Sequence, residues 1–285
     1  MRSIISTCIV AALLAVVSPS AAQEESASAS SDKNILNHLA VGVNIGTPGI
    51  GIDVSAPLTR YVAVRGGVNF FPVIKWSDSF YFEGASEYNQ VRAQHPELNL
   101  PETSLGNSDD IDYEASTHNT TGHVLFDIYP GKKSTFHFTL GAYFGGSNVI
   151  KAKNKERGIF KGISEYNDYV EQHPNAGLVP IGVEFDDSYL LKPDADGNVE
   201  GDVHVSGFRP YVGIGVGRAV PGHRMGFQFD FGVMFWNKPK VYGQGHELTK
   251  ISSDYGDEED GDIMKVAKHV IGYPVINFRI ITKIL

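Results

Sequence analysis

Residues in three parts of this sequence have types and spacings suited to chemistry. His204-Val205-Ser206 sets a base and a hydroxyl two positions apart, so both fall on one face of a strand. A nucleophilic site also needs a third group to orient the base, and no acidic residue follows at the short interval where one is expected. His123, Asp127 and His137 offer a His–Asp pairing for proton transfer. Asp194-Ala195-Asp196-Gly197-Asn198-Val199-Glu200-Gly201-Asp202 offers oxygens at alternating positions, as a calcium loop does, with Asp194, Asp196, Asn198 and Asp202 as candidate ligands. Its glycine falls at the fourth place rather than the sixth. The stretch reads more simply as the tip of a β-hairpin joining Tyr189-Leu190-Leu191 to Val203-His204-Val205. The acidic run Asp257–Asp262 reads as a solvated tip. No phosphate-binding glycine loop precedes a helix; Gly213, Gly215 and Gly217 recur with period two.

The elements that hold these residues share one grammar. Apolar residues occupy every second position over about ten residues, bounded by Gly, Pro or charge. Val41, Val43 and Ile45 alternate with Gly42 and Asn44. Phe136, Phe138 and Leu140 alternate with His137 and Thr139. Phe227, Phe229 and Phe231 alternate with Gln228 and Asp230. The pattern recurs around Ile50–Val54, Val64–Phe70, Val124–Ile128, Val212–Val216 and Ile276–Ile284, which makes eight strands. A soluble barrel turns the apolar face inward; a membrane barrel turns it to lipid and keeps the polar face in the lumen.

The connections discriminate. Four are tight: Thr47-Pro48-Gly49, Pro57–Arg60, Pro130–Lys133 and Pro221–Arg224. Three are long, about 73–115, 150–205 and 237–272, and carry net charges of −7, −5 and −2. Short and long connections alternate, as the periplasmic turns and outer loops of an outer-membrane barrel do. The last alternating strand ends the chain and closes on the first, leaving no open edge in lipid. Tyr61 and Tyr129 at the turn side, and Phe70, Phe71, Trp76, Phe235 and Trp236 at the loop side, suit interfacial belts. The expectation is an all-β, eight-stranded, antiparallel up-and-down transmembrane barrel, with short periplasmic turns and three long extracellular loops carrying short helices.

The N-terminus fits this destination. Arg2, the apolar run Ile9–Val17 and Pro19-Ser20-Ala21-Ala22 read as a secretory signal peptide over 1–22. Residues 23–35 read as a disordered lead-in and 36–285 as the barrel. The one cysteine, Cys8, lies in the signal segment, so the exported chain uses no disulfide. With an acidic chain of net charge −9, nucleic acid is not an expected partner.

The stretches Gly207–Gly243 and His123–Gly146 resemble small outer-membrane β-barrel proteins seen in Bacteroidota. The resemblance implies an eight-stranded barrel of the OmpA/OmpX-like kind and carries no catalytic motif. Such a barrel is just wide enough for side chains to fill it. Asp53, Arg65, His123, Asp127, His137, Asp230 and Arg279 are therefore expected to form an internal polar network, since buried charges need partners. Glycines 213, 215 and 217 are expected to make room for Tyr143 and Tyr211.

One phrase is written twice. Ser86–Pro96, SEYNQVRAQHP, returns 78 residues later as SEYNDYVEQHP, Ser164–Pro174, each preceded by Phe-x-Gly-x. Each copy reads as a short helix, capped by Ser86 or Ser164 and stopped before proline. Tyr88 and Val91, with Tyr166 and Tyr169, mark the faces that pack on each other as a lid or dock a partner. The functional expectation is a monomeric, non-enzymatic outer-membrane scaffold with no cofactor. Its partners are outer-membrane lipid and lipopolysaccharide, and a protein or surface molecule met through loops 2 to 4. An enzyme acting on lipid or peptide and a narrow pore are the alternatives.

Overall fold

The computed structural model describes residues 38–102, 105, 110–185, 189–248 and 272–285. The expected signal peptide, the whole of the lead-in and the run Asp257–Asp262 lie outside the described residues. Sixteen strands are described, and eight of them close a barrel. In chain order the barrel strands are β1 (Ala40–Gly46), β2 (Gly49–Pro57), β3 (Val62–Phe70), β6 (Thr120–Ile128), β7 (Phe136–Gly145), β12 (Phe208–Gly217), β13 (Met225–Phe235) and β16 (Gly272–Lys283). Each pairs antiparallel with its barrel neighbours, and β16 closes on β1 from Ala40↔Lys283 to Gly46↔Asn277. The β1–β2 turn is two residues long because Gly49 adopts φ +109°, a conformation that a side chain would strain.

Period two sets the polarity of the wall. The outward face is apolar on every strand: Ile45 is 58% exposed and Phe227 61%. The inward face holds the buried polar groups, Arg65 at 1%, Asp127 at 0% and Arg279 at 0%. The barrel is thus inside-out relative to a water-soluble one.

Among the described residues, the long connections hold strands as well as the expected helices. They carry β4 (Lys75–Tyr81), β5 (Asp110–Thr117), β8 (Asn148–Asn154), β11 (Glu200–His204), β14 (Lys240–Gly243) and β15 (His246–Glu247), which form a second sheet in the order β15-β14-β11-β8-β5-β4. Each of β4, β5, β8, β11 and β14 is adjacent in the chain to a barrel strand. A short separate pair, β9 (Val183–Phe185) and β10 (Tyr189–Leu191), completes the strand set. The hairpin expected around Asp194 is therefore corrected. Tyr189–Leu191 pairs with β9, and Glu200–His204 pairs with β8 and β14. Only the turn chemistry survives: the Asp194 carboxylate accepts the backbone N–H groups of Asp196 (2.9 Å) and Asn198 (2.8 Å).

Helices α1 (Gly84–Gln94) and α2 (Lys161–Gln172) are the two copies of the repeated phrase. Both end at the histidine before proline, with nearly identical angles: φ −125°, ψ 62° at His95 and φ −126°, ψ 62° at His173. They begin earlier than expected, and neither serine is a cap. Ser86 donates to the Glu83 carbonyl (2.8 Å), and Ser164 is buried inside α2. Equivalent residues of the two copies meet. Phe82 packs edge-on against Phe160 (5.1 Å) and Tyr88 against Tyr166 (6.4 Å). Each tyrosine donates to a carbonyl thirteen residues on, Tyr88 to Pro101 and Tyr166 to Val179. Like-to-like contacts of this kind define a local two-fold axis. The glycine of Phe-x-Gly permits the approach: a Cβ on Gly162 would meet the Tyr88 ring at 2.9 Å. Ala85, Ile163, Ile111 and Ile181 complete this core, which lies outside the barrel.

Candidate functional site

The densest chemistry lies in the barrel lumen. Arg65 of β3 reaches Asp230 of β13 at 2.8 Å and Asp127 of β6 at 2.8 Å. In the closed order, β3 and β13 stand four strands apart on the eight-strand ring, so the Arg65–Asp230 pair spans the full diameter. His137 of β7 places Nε2 at 2.9 Å from Asp230 and Nδ1 at 3.2 Å from the Thr135 carbonyl. Thr139 donates to Asp127 (2.9 Å). Arg279 of β16 forms a two-armed pair with Asp53 of β2, its Nε at 2.7 Å. Ser55 accepts from Arg279 (3.1 Å), and Asn44 donates to Asp53 (3.3 Å).

Gln228 joins the two halves. Its Nε2 donates to Asp127 (2.9 Å) and its Oε1 accepts from Arg279 (2.9 Å). Six of the seven expected network residues are thus connected: Asp53, Arg65, Asp127, His137, Asp230 and Arg279. His123 stands apart, with Asn69 at 3.2 Å and the Tyr143 ring at 5.5 Å. The bridging role of Gln228 was not singled out in the sequence, although its position two before Asp230 puts it on the inward parity.

Two closures also went unread. Arg209 is fully buried at the loop end of β12 and donates to the Ser206 and Gly146 carbonyls and to Asn119 Oδ1, at 2.6 to 2.9 Å. Tyr129 is no interfacial aromatic. It is buried at the turn end, its hydroxyl accepts from Ala219 N (2.8 Å), and Arg218 lies over its ring at 4.7 Å. The glycine stripe works in part as expected. A Cβ on Gly213 would collide with the Tyr211 hydroxyl, while one on Gly215 would meet His137 Nε2 at 2.5 Å and Asp230 at 2.7 Å. Gly215 therefore makes room for the charged cluster, not for Tyr143. Gly215→Ala should cost about 1–3 kcal/mol through overpacking. The check is the denaturant midpoint of the refolded barrel against the parent chain.

The catalytic arrangements do not assemble. His204 stacks on Tyr242 (4.2 Å), and Ser206 donates to the Phe208 carbonyl (2.7 Å). His137 sits on Asp230 and only 4.0 Å from Asp127. Asp127, His137 and Asp230 bring ligand atoms within 4.8 Å of one another, the spacing of a metal site. The Arg65 guanidinium already bonds both carboxylates, so the place of a cation is taken by a side chain. The calcium candidates do not converge. Asp194 is engaged by its own turn, Asn198 Oδ1 accepts Gly158 N (3.0 Å), and Asp202 lies in β11 opposite Lys151 and Tyr242.

Of the docking candidates, Tyr88 and Tyr166 are buried in the inter-helix core, where burial pushes the Tyr88 hydroxyl up to about 12. Val91 is half-buried against that core, and Tyr169 stacks on His173 (4.1 Å). Tyr88 and Tyr166 thus hold the two copies together, while Tyr169 takes no part in that contact.

No family model matches this chain, and no curated protein does. Among solved structures, CarO2 of Acinetobacter baumannii is similar at 16% identity with a TM-score of 0.43, over 87% of this chain and 99% of that one. CarO of Acinetobacter baumannii is similar at 15% identity with a TM-score of 0.42, over 88% of this chain and 99% of that one.

Proposed function

We propose that this chain is an integral outer-membrane barrel of the OmpA/OmpX-like kind, with a filled lumen and no enzymatic activity. It anchors a folded sheet and helix pair used for surface interaction or envelope structure. The observation that carries this reading is the inverted polarity of the closed wall, apolar outside and bonded across the lumen inside. Exposed apolar surface on every strand is costly in water and correct in lipid. The diameter-spanning Arg65–Asp230 pair supports a plug rather than a pore, and the unassembled His204–Ser206 pair supports a scaffold rather than an enzyme. The acidic long side faces out, and the short turns with Arg60, Lys132, Lys133, Arg218 and Arg224 face the periplasm together with both termini.

The test is fractionation of the expressing cell followed by electrophoresis with and without boiling. The protein should pellet with outer membranes and migrate differently when boiled. Recovery in the soluble fraction with one mobility would refute the assignment. A second expectation concerns the lipid face: Ile214→Lys puts a charge on the outward face of β12 and should cost about 2–4 kcal/mol if that face lies near the bilayer midplane. Refolding yield into vesicles reads that cost.

A further inference from the structure

The turn end of the barrel carries side-chain charge of one sign. Arg60 lies in the β2–β3 turn, Lys132 and Lys133 in the β6–β7 turn, and Arg218 and Arg224 in the β12–β13 turn. Lys283 ends β16, opposite Ala40 at the start of β1. No aspartate or glutamate stands in 58–61, 129–135, 218–224 or 283–285. In the closed order, the pairs β2–β3, β6–β7, β12–β13 and β16–β1 make up the whole ring, so the cations stand around its entire perimeter. Neighbouring points of the ring touch: Lys283 N donates to the Arg224 carbonyl (2.9 Å), and Arg218 donates to the Lys132 carbonyl (2.8 Å). Arg218 is held by that carbonyl and by the Tyr129 ring, whereas Arg60, Lys132, Lys133 and Arg224 are exposed.

Each point of the ring adjoins the apolar outer wall. Arg60 precedes Tyr61, Lys133 lies three residues before Phe136, Arg218 two after Val216, Arg224 precedes Met225 and Lys283 precedes Ile284. All five of these apolar side chains are exposed. Cations that follow directly on a lipid-facing wall stand at the level where a monolayer passes from acyl chains to phosphates. Their stems can lie along the apolar surface while the charged heads reach that level. A compact anion needs cations that converge on one point, and these are spread around a wall, so they suit an annulus of headgroups. Ammonium groups bond phosphate oxygens as point charges, and guanidinium groups bond them in two places. We infer that the turn end is a binding belt for anionic phospholipid, in which Arg60, Lys132, Lys133, Arg224 and Lys283 gather negatively charged headgroups in the leaflet that meets the turns. This deepens the outer-membrane reading and rests on it.

The experiment equilibrates the full chain, folded in non-ionic detergent, with equal amounts of phosphatidylglycerol and phosphatidylcholine. Lipid retained through gel filtration is then counted by mass spectrometry. Phosphatidylglycerol should be retained in preference, each cation near the headgroups contributing up to about fivefold. The triple variant Lys132→Gln, Lys133→Gln, Arg224→Gln should lose most of that preference. Lys75→Gln with Lys240→Gln removes charge from the sheet at the loop side and should keep it. Raising the salt to about 1 M should weaken the parent's preference, because screening then acts within about 3 Å. Equal retention of the two lipids by the parent, an unchanged preference in the triple variant, or an equal loss in the Lys75 and Lys240 pair would each overturn the inference. If the parent shows no lipid preference but sediments with isolated peptidoglycan, and the triple variant does not, the belt serves the cell-wall polymer and the lipid inference falls. Boiled and unboiled mobilities report the barrel separately. A parent that folds with the mobility shift yet shows no preference refutes the belt alone, and a parent with one mobility refutes the barrel reading itself.

Discussion

Arg65→Ala should be among the most destabilising single changes in the barrel, at about 3–5 kcal/mol. The residue is 1% exposed, and its guanidinium bonds carboxylates from two other strands, one of them diametrically opposite. Removing it leaves Asp127 and Asp230 facing each other without a cation, and only His137, Thr139 and Gln228 remain to satisfy them. The penalty comes mostly from the abandoned carboxylates, not from the net worth of the original pair. Arg65→Ala combined with Asp230→Ala should therefore cost much less than the sum of the two single changes, because coupled groups are not additive. Urea titration of the chain refolded in vesicles, followed by the fluorescence of its two tryptophans, measures each corner of this cycle. Additive costs would show that the two groups do not act as a pair. Arg65→Lys should not rescue fully, since one ammonium cannot reproduce the forked contact to two acids.

Tyr88→Ala should have a comparable effect in a different place. The ring is fully buried against Tyr166, and its hydroxyl holds the Pro101 carbonyl. Deleting a buried aromatic of this size costs about 3–5 kcal/mol. The loss falls on the core that joins the two copies of the repeat, and the barrel strands do not share it. Limited proteolysis should then cut within 82–102 or 160–182 at protease levels that spare the parent chain. The boiled-against-unboiled mobility shift should stay. Tyr166→Ala should give the same pattern, because the two residues are equivalent by repeat and by contact. A variant that loses the barrel together with the helix pair would show that the two fold as one cooperative unit.

Much of the wall was legible because period two is a local signal. Each of the eight barrel strands announces itself by its own alternation, and parity alone puts Asp53, Arg65, Asp127, His137, Asp230 and Arg279 inside. The partners within that set were not legible. Which inward groups meet depends on the stagger between strands around a closed ring, and no single strand encodes it. Gln228 and Arg209 have the right parity, yet their bridging and capping roles arise only once the ring closes. Tyr129 looked interfacial because it ends a strand next to a proline turn, and the closed end of the lumen buries it instead.

The strands within the long connections were not legible, for a related reason. Strands β11, β14 and β15 are five, four and two residues long, too short for alternation to stand out. They are ordered by lateral pairing with β8 and with each other, which is non-local. The repeat was legible as two helices stopped at His95 and His173. Their earlier starts were not, because Phe-x-Gly places an aromatic and a close-approach glycine where a capping serine was expected. Packing between the copies, not a capping hydrogen bond, sets where each helix begins.

The central claim is that the lumen is crossed by bonded side chains and carries no open path. Planar-bilayer recording of the purified, refolded chain tests it most directly. The account predicts silent membranes for the parent protein at concentrations where reconstitution into vesicles is complete. A steady unitary conductance that scales with protein and persists through further purification would contradict it, and would return the narrow pore as the correct reading.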